Sequence, residues 1–251
     1  MTLDPRDVGQ GLCGSSCKVR GAHLPYINRV PNDPALATEP LSTLLRSGSQ
    51  QEHREAESSL FMAELVDGRV DAAGYARYLG SLRRVYAAIE QVAVELRDDV
   101  IAGPVIDPAL ERLASIDADL AVWGSNPQDA AAIDSPATDA YVARVLDSMA
   151  WGGLFVAHHY TRYLGDLSGG QAIGRVLSRE YDLEPGAGVA FYRFEQIPKP
   201  KPYKDGYRAA LDALPLDDAG RARVLDEVKV VFSLNGDLFA ELSALLPQYR
   251  R

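Results

Sequence analysis

Thiols, histidines and positive charge are all scarce in this chain. Its 251 residues hold two cysteines, Cys13 and Cys17, both in a polar leader. No disulfide framework is implied, and a reducing compartment fits. Two thiols do not complete a zinc site, and His23 adds no complement at typical ligand spacing. The 26 Lys+Arg against 35 Asp+Glu leave a net charge of −9, which argues against nucleic acid or an anionic membrane surface as partner. An anionic ligand would have to be held by locally placed cations. Uninterrupted apolar runs long enough to span a bilayer are missing, as is the apolar core of a secretory signal. These absences lead us to expect a cytoplasmic protein. Sustained two-residue alternation is missing too, so the expected fold is all-α, a single-domain helical bundle.

Glycine is concentrated where it is least expected. A helical pattern opens near Gly152 and runs to about Tyr181, and Gly165, Gly169 and Gly170 fall inside it. Each costs roughly 1 kcal/mol relative to alanine in a helix interior. Gly165 and Gly169 are four apart and share a face. A face bare of side chains admits something flat against the backbone, and paired glycines also allow a kink. Asp166 stands within the bare patch, with hydroxyls nearby on Thr161, Tyr163 and Ser168. The pattern points to a thin, broad ligand with one carboxylate beside it. Close helix-helix packing through the glycines is the alternative.

Residues 1–38 carry four prolines and no helical periodicity and read as a flexible extension, leaving 39–251 as the helical domain. Ser42 or Thr43 could cap a first helix, on which His53, Ala56, Glu57, Leu60, Phe61, Glu64 and Leu65 form one continuous face ended by Asp67-Gly68. A longer helix begins at Asp71 and buries Tyr75, Leu79, Leu82, Tyr86 and Ile89. Leu110, Leu113, Ile116 and Leu120 mark a third, residues 124–136 a loop, and about 138–149 a short helix. Pro198, Pro200 and Pro202 exclude regular helix before about Asp205. Asp217 can cap the last helix, which carries Val224 to Leu245.

His53 is one of four histidines. On the apolar face of its helix, with Glu57 one turn later to accept a hydrogen bond from one ring nitrogen, it would keep the other nitrogen for a metal. A partly buried, satisfied histidine is the alternative. His158 and His159 read as packing or solvent-facing residues.

The stretch Tyr160-Thr161-Arg162-Tyr163-Leu164-Gly165-Asp166-Leu167-Ser168-Gly169-Gly170-Gln171 resembles the signature of haem oxygenases. Gln51 to Glu57 with Phe61-Met62 resembles that family's proximal-helix motif, and Val85 to Glu90 its second helix. Tyr203 to Arg208 and Val231 to Phe239 resemble its C-terminal half. The segments follow the family's order across residues 41–245.

The resemblance implies oxidative opening of haem b to biliverdin, Fe2+ and CO, with haem both substrate and cofactor. O2 would be consumed, with electrons from a ferredoxin and its reductase or an NADPH-dependent flavoprotein reductase. It makes His53 the proximal iron ligand, oriented by Glu57. Gly165 and Gly169 would let backbone lie over the haem face, and Asp166 would order the distal water. Tyr86 and Arg162 would belong to the surrounding hydrogen-bond network, with Asn235 joining it. Arg46, which stands where the family commonly has lysine, would hold the propionates with Lys204, Arg208 and the Tyr160 hydroxyl. Phe232 and Phe239 would wall the pocket. The chain stops soon after its last helix, without the apolar tail of animal members, so no membrane anchor is expected. A non-catalytic haem carrier on the same scaffold is the alternative. A di-iron oxidase would need paired Glu-x-x-His motifs that this sequence lacks.

Overall fold

The structure, a computed structural model, describes residues 39–251; the reading of 1–38 as a flexible extension falls outside the described residues, as does the side chain of Glu57. Eleven α-helices make up most of the described chain: α1 Leu41–Gly48, α2 Gln50–Glu57, α3 Leu60–Val66, α4 Ala72–Glu95, α5 Leu113–Val122, α6 Pro127–Ala131, α7 Pro136–Asp147, α8 Gly152–His159, α9 Gln171–Glu180, α10 Pro200–Asp212 and α11 Asp218–Leu245. The only strand-like pairing among the described residues is an isolated bridge between Val70 and Arg250. The all-α expectation holds.

Side-chain caps start many of these helices. Asp71 accepts from Gly74 N–H, Ser59 from Met62, Asn126 from Gln128 and Asp129, Ser135 from Thr138, and Asp217 from Gly220. Each such cap is worth about 1 kcal/mol. The two longest helices frame the bundle. α4 packs against α5, α6, α7 and α8, while α11 packs against α8, α7, α2 and α3. Tyr75, Leu79, Tyr86 and Ile89 of α4 and Val224, Val228 and Val231 of α11 are fully buried. Burying each such aliphatic side chain stabilises the fold by roughly 1.5–3 kcal/mol.

Several expected boundaries shift, each for a local reason. The helix carrying His53 is three helices, because Ser59 adopts an extended backbone and caps α3. Neither Ser42 nor Thr43 caps α1, which starts after Pro40; Ser42 instead gives its N–H (2.8 Å) and hydroxyl (3.1 Å) to Asp212 of α10. The loop over 124–136 contains α6, started by Asn126-Pro127. α10 begins at Pro200 rather than Asp205, since prolines in a first turn forfeit no hydrogen bond.

By length and composition, Asp218–Gln248 is long and apolar enough to cross a membrane, with mean hydropathy 1.2. Asp237 and Glu241 interrupt it, so it is not an uninterrupted apolar run. Its packing against five other helices and its two buried polar residues, Glu227 and Asn235, mark it as a helix of the bundle.

Candidate active site

Between α8 and α9 the chain stays helical but loosens. Tyr160–Leu164 and Asp166–Gly170 are π-helical turns, separated by Gly165. π turns inside α-helices cluster at functional sites, and here they coincide with the glycines. A methyl placed on Gly165 or Gly169 would meet nothing within 4 Å, whereas one on Gly170 would come within 3.0 Å of the Tyr192 ring. Gly165 and Gly169 therefore do not serve helix-helix packing. They form a bare floor.

That floor opens on a cleft with two contiguous lobes. The inner lobe, about 650 Å³, is lined by His53, Tyr78, Gly165, Asp166, Gly169 and Phe239 among others. The outer lobe, about 600 Å³, is lined by Arg46, Tyr160, Arg208 and Ser49. His53, Thr161, Gly165, Ser168 and Phe232 line both lobes. Each volume lies in the range of about 300–1,000 Å³ usual for small-molecule sites.

His53 projects from α2, a helix that buries none of its described residues. His53 and Ala56 of the expected face line the cleft, while Phe61 and Leu65 of the same face are buried in α3. His53 is exposed, and its ring meets Phe232 edge-on at 5.6 Å. It lines the same lobe as the glycine floor on the opposing π segment. The proposed orienting contact from Glu57 lies outside the described residues.

A polar network lies beneath the floor. Tyr86 O–H of α4 donates to Asp166 Oδ2. Arg162 donates from Nε to Tyr86 Oη at 3.1 Å and from Nη1 to Asn235 Oδ1 at 2.7 Å, with its Nη2 3.8 Å from Asp166 Oδ1. Asn235 in turn donates to Tyr141 Oη (3.3 Å) and to the Val231 carbonyl (2.9 Å). Burial pushes the Asp166 carboxyl above its ordinary range, against the opposing pull of Arg162 and Tyr86. Burial also raises the Tyr86 phenol, which keeps it a donor.

Cations gather at the outer lobe. Arg46 of α1 and Arg208 of α10 line it with Tyr160. Lys204 Nζ reaches Ser168 Oγ at 3.1 Å, and Arg208 Nη1 donates to Asp205 at 3.0 Å. The structure thus brings together the residues singled out in the sequence, Glu57 apart. It adds Tyr78, Phe191 and Tyr192, which close the inner lobe. Tyr78 was legible, two turns before Tyr86 on α4. Phe191-Tyr192 sits in an irregular stretch with no periodicity to flag it. Thr161 Oγ1, buried and lining both lobes, has no hydrogen-bond partner among the described residues. With the bare floor, the imidazole and the flanking cations, it fits a flat, dianionic macrocycle carrying a metal.

A helical bundle with a cleft set between one imidazole and an acid-bearing, side-chain-poor π segment is the architecture of a haem-handling protein. A family model described as heme oxygenase matches residues 39–241. Heme oxygenase 1 of Synechocystis sp. is 38% identical over 208 residues, covering 82% of this chain and 86% of that protein. Heme oxygenase 1 of Rattus norvegicus is 36% identical over 217 residues, covering 84% and 74%. Among solved structures, heme oxygenase-1 from Synechocystis sp. in complex with heme superposes with a TM-score of 0.78 at 36% identity, covering 84% of this chain and 95% of that one. The heme oxygenase of Leptospira interrogans superposes with a TM-score of 0.76 at 36% identity, covering 81% and 100%. The chain belongs to the haem oxygenase family.

Proposed function

We propose that this enzyme binds haem b in the two-lobed cleft and opens its ring with O2 and reducing equivalents, yielding biliverdin, Fe2+ and CO. Bound haem supplies the iron that handles oxygen and the porphyrin edge that is oxidised. His53 would hold that iron, and an imidazole ligand lacks the electron push of a thiolate. Gly165 and Gly169 let backbone approach the opposite face. Asp166, held by Tyr86 and Arg162, orders water beside that face and passes a proton through it. Its raised affinity for protons suits a group that must both accept and release one. Arg46, Lys204, Arg208 and Tyr160 neutralise and orient the two propionates, which answers the −9 charge of the chain. Phe232 and Phe239 keep the iron side and the inner lobe apolar.

The observation that carries this reading is the acid beside the bare floor. A haem carrier would gain nothing from burying Asp166 against Tyr86 and Arg162, and the burial itself opposes ionisation. Electrons would come from a ferredoxin system or a flavoprotein reductase. We place the protein in the cytoplasm, a reading supported by the packing of α11 against other helices of the bundle. The deciding experiment loads the protein with haemin without oxygen, then admits air and a reductant. Loss of the Soret band with growth of biliverdin absorption is expected, and a stable Soret band would refute the assignment.

A further inference from the structure

His159 has no part in the chemistry above, yet it is buried at the point where α8 gives way to the first π turn. Its Nδ1 lies 2.8 Å from Tyr207 Oη, and the two rings stack 5.7 Å apart at 4°. Its ring also meets Tyr163 edge-on at 4.6 Å, and Phe155 lies behind. Tyr207 is buried too, on α10, three residues after Lys204 and immediately before Arg208. Burial holds the phenol in its protonated form, so the O–H donates to a neutral imidazole.

α10 has few other buried polar ties to the distal segment. Lys204 to Ser168 is an exposed contact, and Tyr203 O–H donates to Asp107 at 2.7 Å outside that segment. We propose that His159 is a positioning residue: through Tyr207 it sets where the Lys204 and Arg208 cations stand relative to the Gly165–Asp166 floor, and so which edge of the macrocycle faces the distal water. The inference rests on the propionate role of those cations. A rotation of the ring in its plane exchanges the meso position under attack while leaving the iron in place. His159 would therefore act on regiochemistry more than on rate.

The test compares His159→Leu, Tyr207→Phe and the double variant in two backgrounds, the parent and Lys204→Ala/Arg208→Ala. The readouts are the biliverdin isomer ratio and the haemin dissociation rate. Tyr207→Phe removes only a hydroxyl and keeps the ring, so folding is preserved. Losing one hydrogen bond corresponds to a two- to tenfold change, roughly, in dissociation rate. We expect both single variants to raise the minor isomers and the dissociation rate, the double to do no more than either, and none to act further once Lys204 and Arg208 are gone. An unchanged isomer ratio in Tyr207→Phe, or effects that simply add in the double variant, would overturn the proposal. If Lys204→Ala/Arg208→Ala itself behaves like the parent, the propionate reading falls first and takes this inference with it.

Discussion

Tyr86 and Asp166 meet in a direct hydrogen bond that joins α4 to the second π turn, and Arg162 binds the same phenolic oxygen. The acid is thus held from two sides, and neither holder can move without disturbing the other. Tyr86→Phe removes the donor but leaves Arg162, so it should slow ring opening less than loss of the acid does. Asp166→Ala removes the group that moves the proton. General acid–base groups contribute about 10²–10⁴-fold, so biliverdin formation should fall by about 10²-fold or more while haem still binds. Normal biliverdin yield from Asp166→Ala, measured in single turnover, would refute the relay.

His53 is the second handle on the site. His53→Ala should abolish the protein-derived axial ligand, leaving haem held by the cleft walls and the outer-lobe cations. Added imidazole should then restore a histidine-like ferric spectrum by occupying the vacated space beside Phe232. An unaltered spectrum in the variant without imidazole would show that another group ligates the iron.

Much of this was readable in the chain itself, and the parts that were not share a cause. Glycines four apart beside an acid marked the floor, and capping residues such as Asp71 and Asp217 marked where the two framing helices begin. His53 lies on the cleft, as its place among apolar residues suggests, but its helix is shorter than the pattern implies. A helical wheel run through Ser58-Ser59 treats a break as continuous, whereas in the structure α2 packs against α11 and turns His53 and Ala56 to the cleft. Phe191 and Tyr192 were invisible for a related reason. Their segment is held by Asp119, whose carboxylate accepts from the Ala190 and Phe191 N–H groups at 2.7 Å each, a contact spanning about seventy residues that no local pattern encodes. The π turns, likewise, follow from glycines only once something must lie against them.

Glu227 is a buried carboxylate on α11 and is spared from neutralisation by its partners. Burial alone would raise it, but His158 at 3.1 Å and Arg144 at 2.8 Å outweigh that and hold it below the ordinary value of 4.5. A depressed folded value stabilises the protein above the unfolded value and is lost as pH falls through the folded one. Its contribution should therefore be complete at neutral pH and decay below about pH 4.5. Glu227→Gln should cost about 3 kcal/mol, the low end for a broken buried pair because Arg144 is partly exposed. Urea denaturation at pH 7 measures it, and a midpoint equal to the parent's would refute it.

His159 makes the acid limb steeper and begins it earlier. Burial drives its imidazole down from 6.5 to about 3. Between those values the unfolded chain binds a proton that the folded chain refuses, so stability rises with pH there and is lost as pH falls below the unfolded value. From pH 7 to pH 5 this one group should remove about 2 kcal/mol. His159→Gln keeps an acceptor for Tyr207 without titrating, so the difference in unfolding free energy between those two pH values should shrink by that amount. A parallel pair of stability curves for parent and variant would show that His159 does not titrate in this window.

Gly169 separates folding from function most sharply. A methyl there meets nothing within 4 Å, so Gly169→Ala carries no steric cost in the haem-free protein. Replacing a helix-interior glycine should instead stabilise it by about 0.5–1 kcal/mol. The same methyl projects into the inner lobe, where the macrocycle must lie against backbone. We expect the haem-free melting temperature to rise while haemin affinity falls by about tenfold, equivalent to about 1.4 kcal/mol. Opposite signs for the two measurements are the point of the experiment. A variant that melts higher and binds haemin as tightly as the parent would mean that the ligand does not rest on this floor, and the orientation assigned to the haem would have to be abandoned.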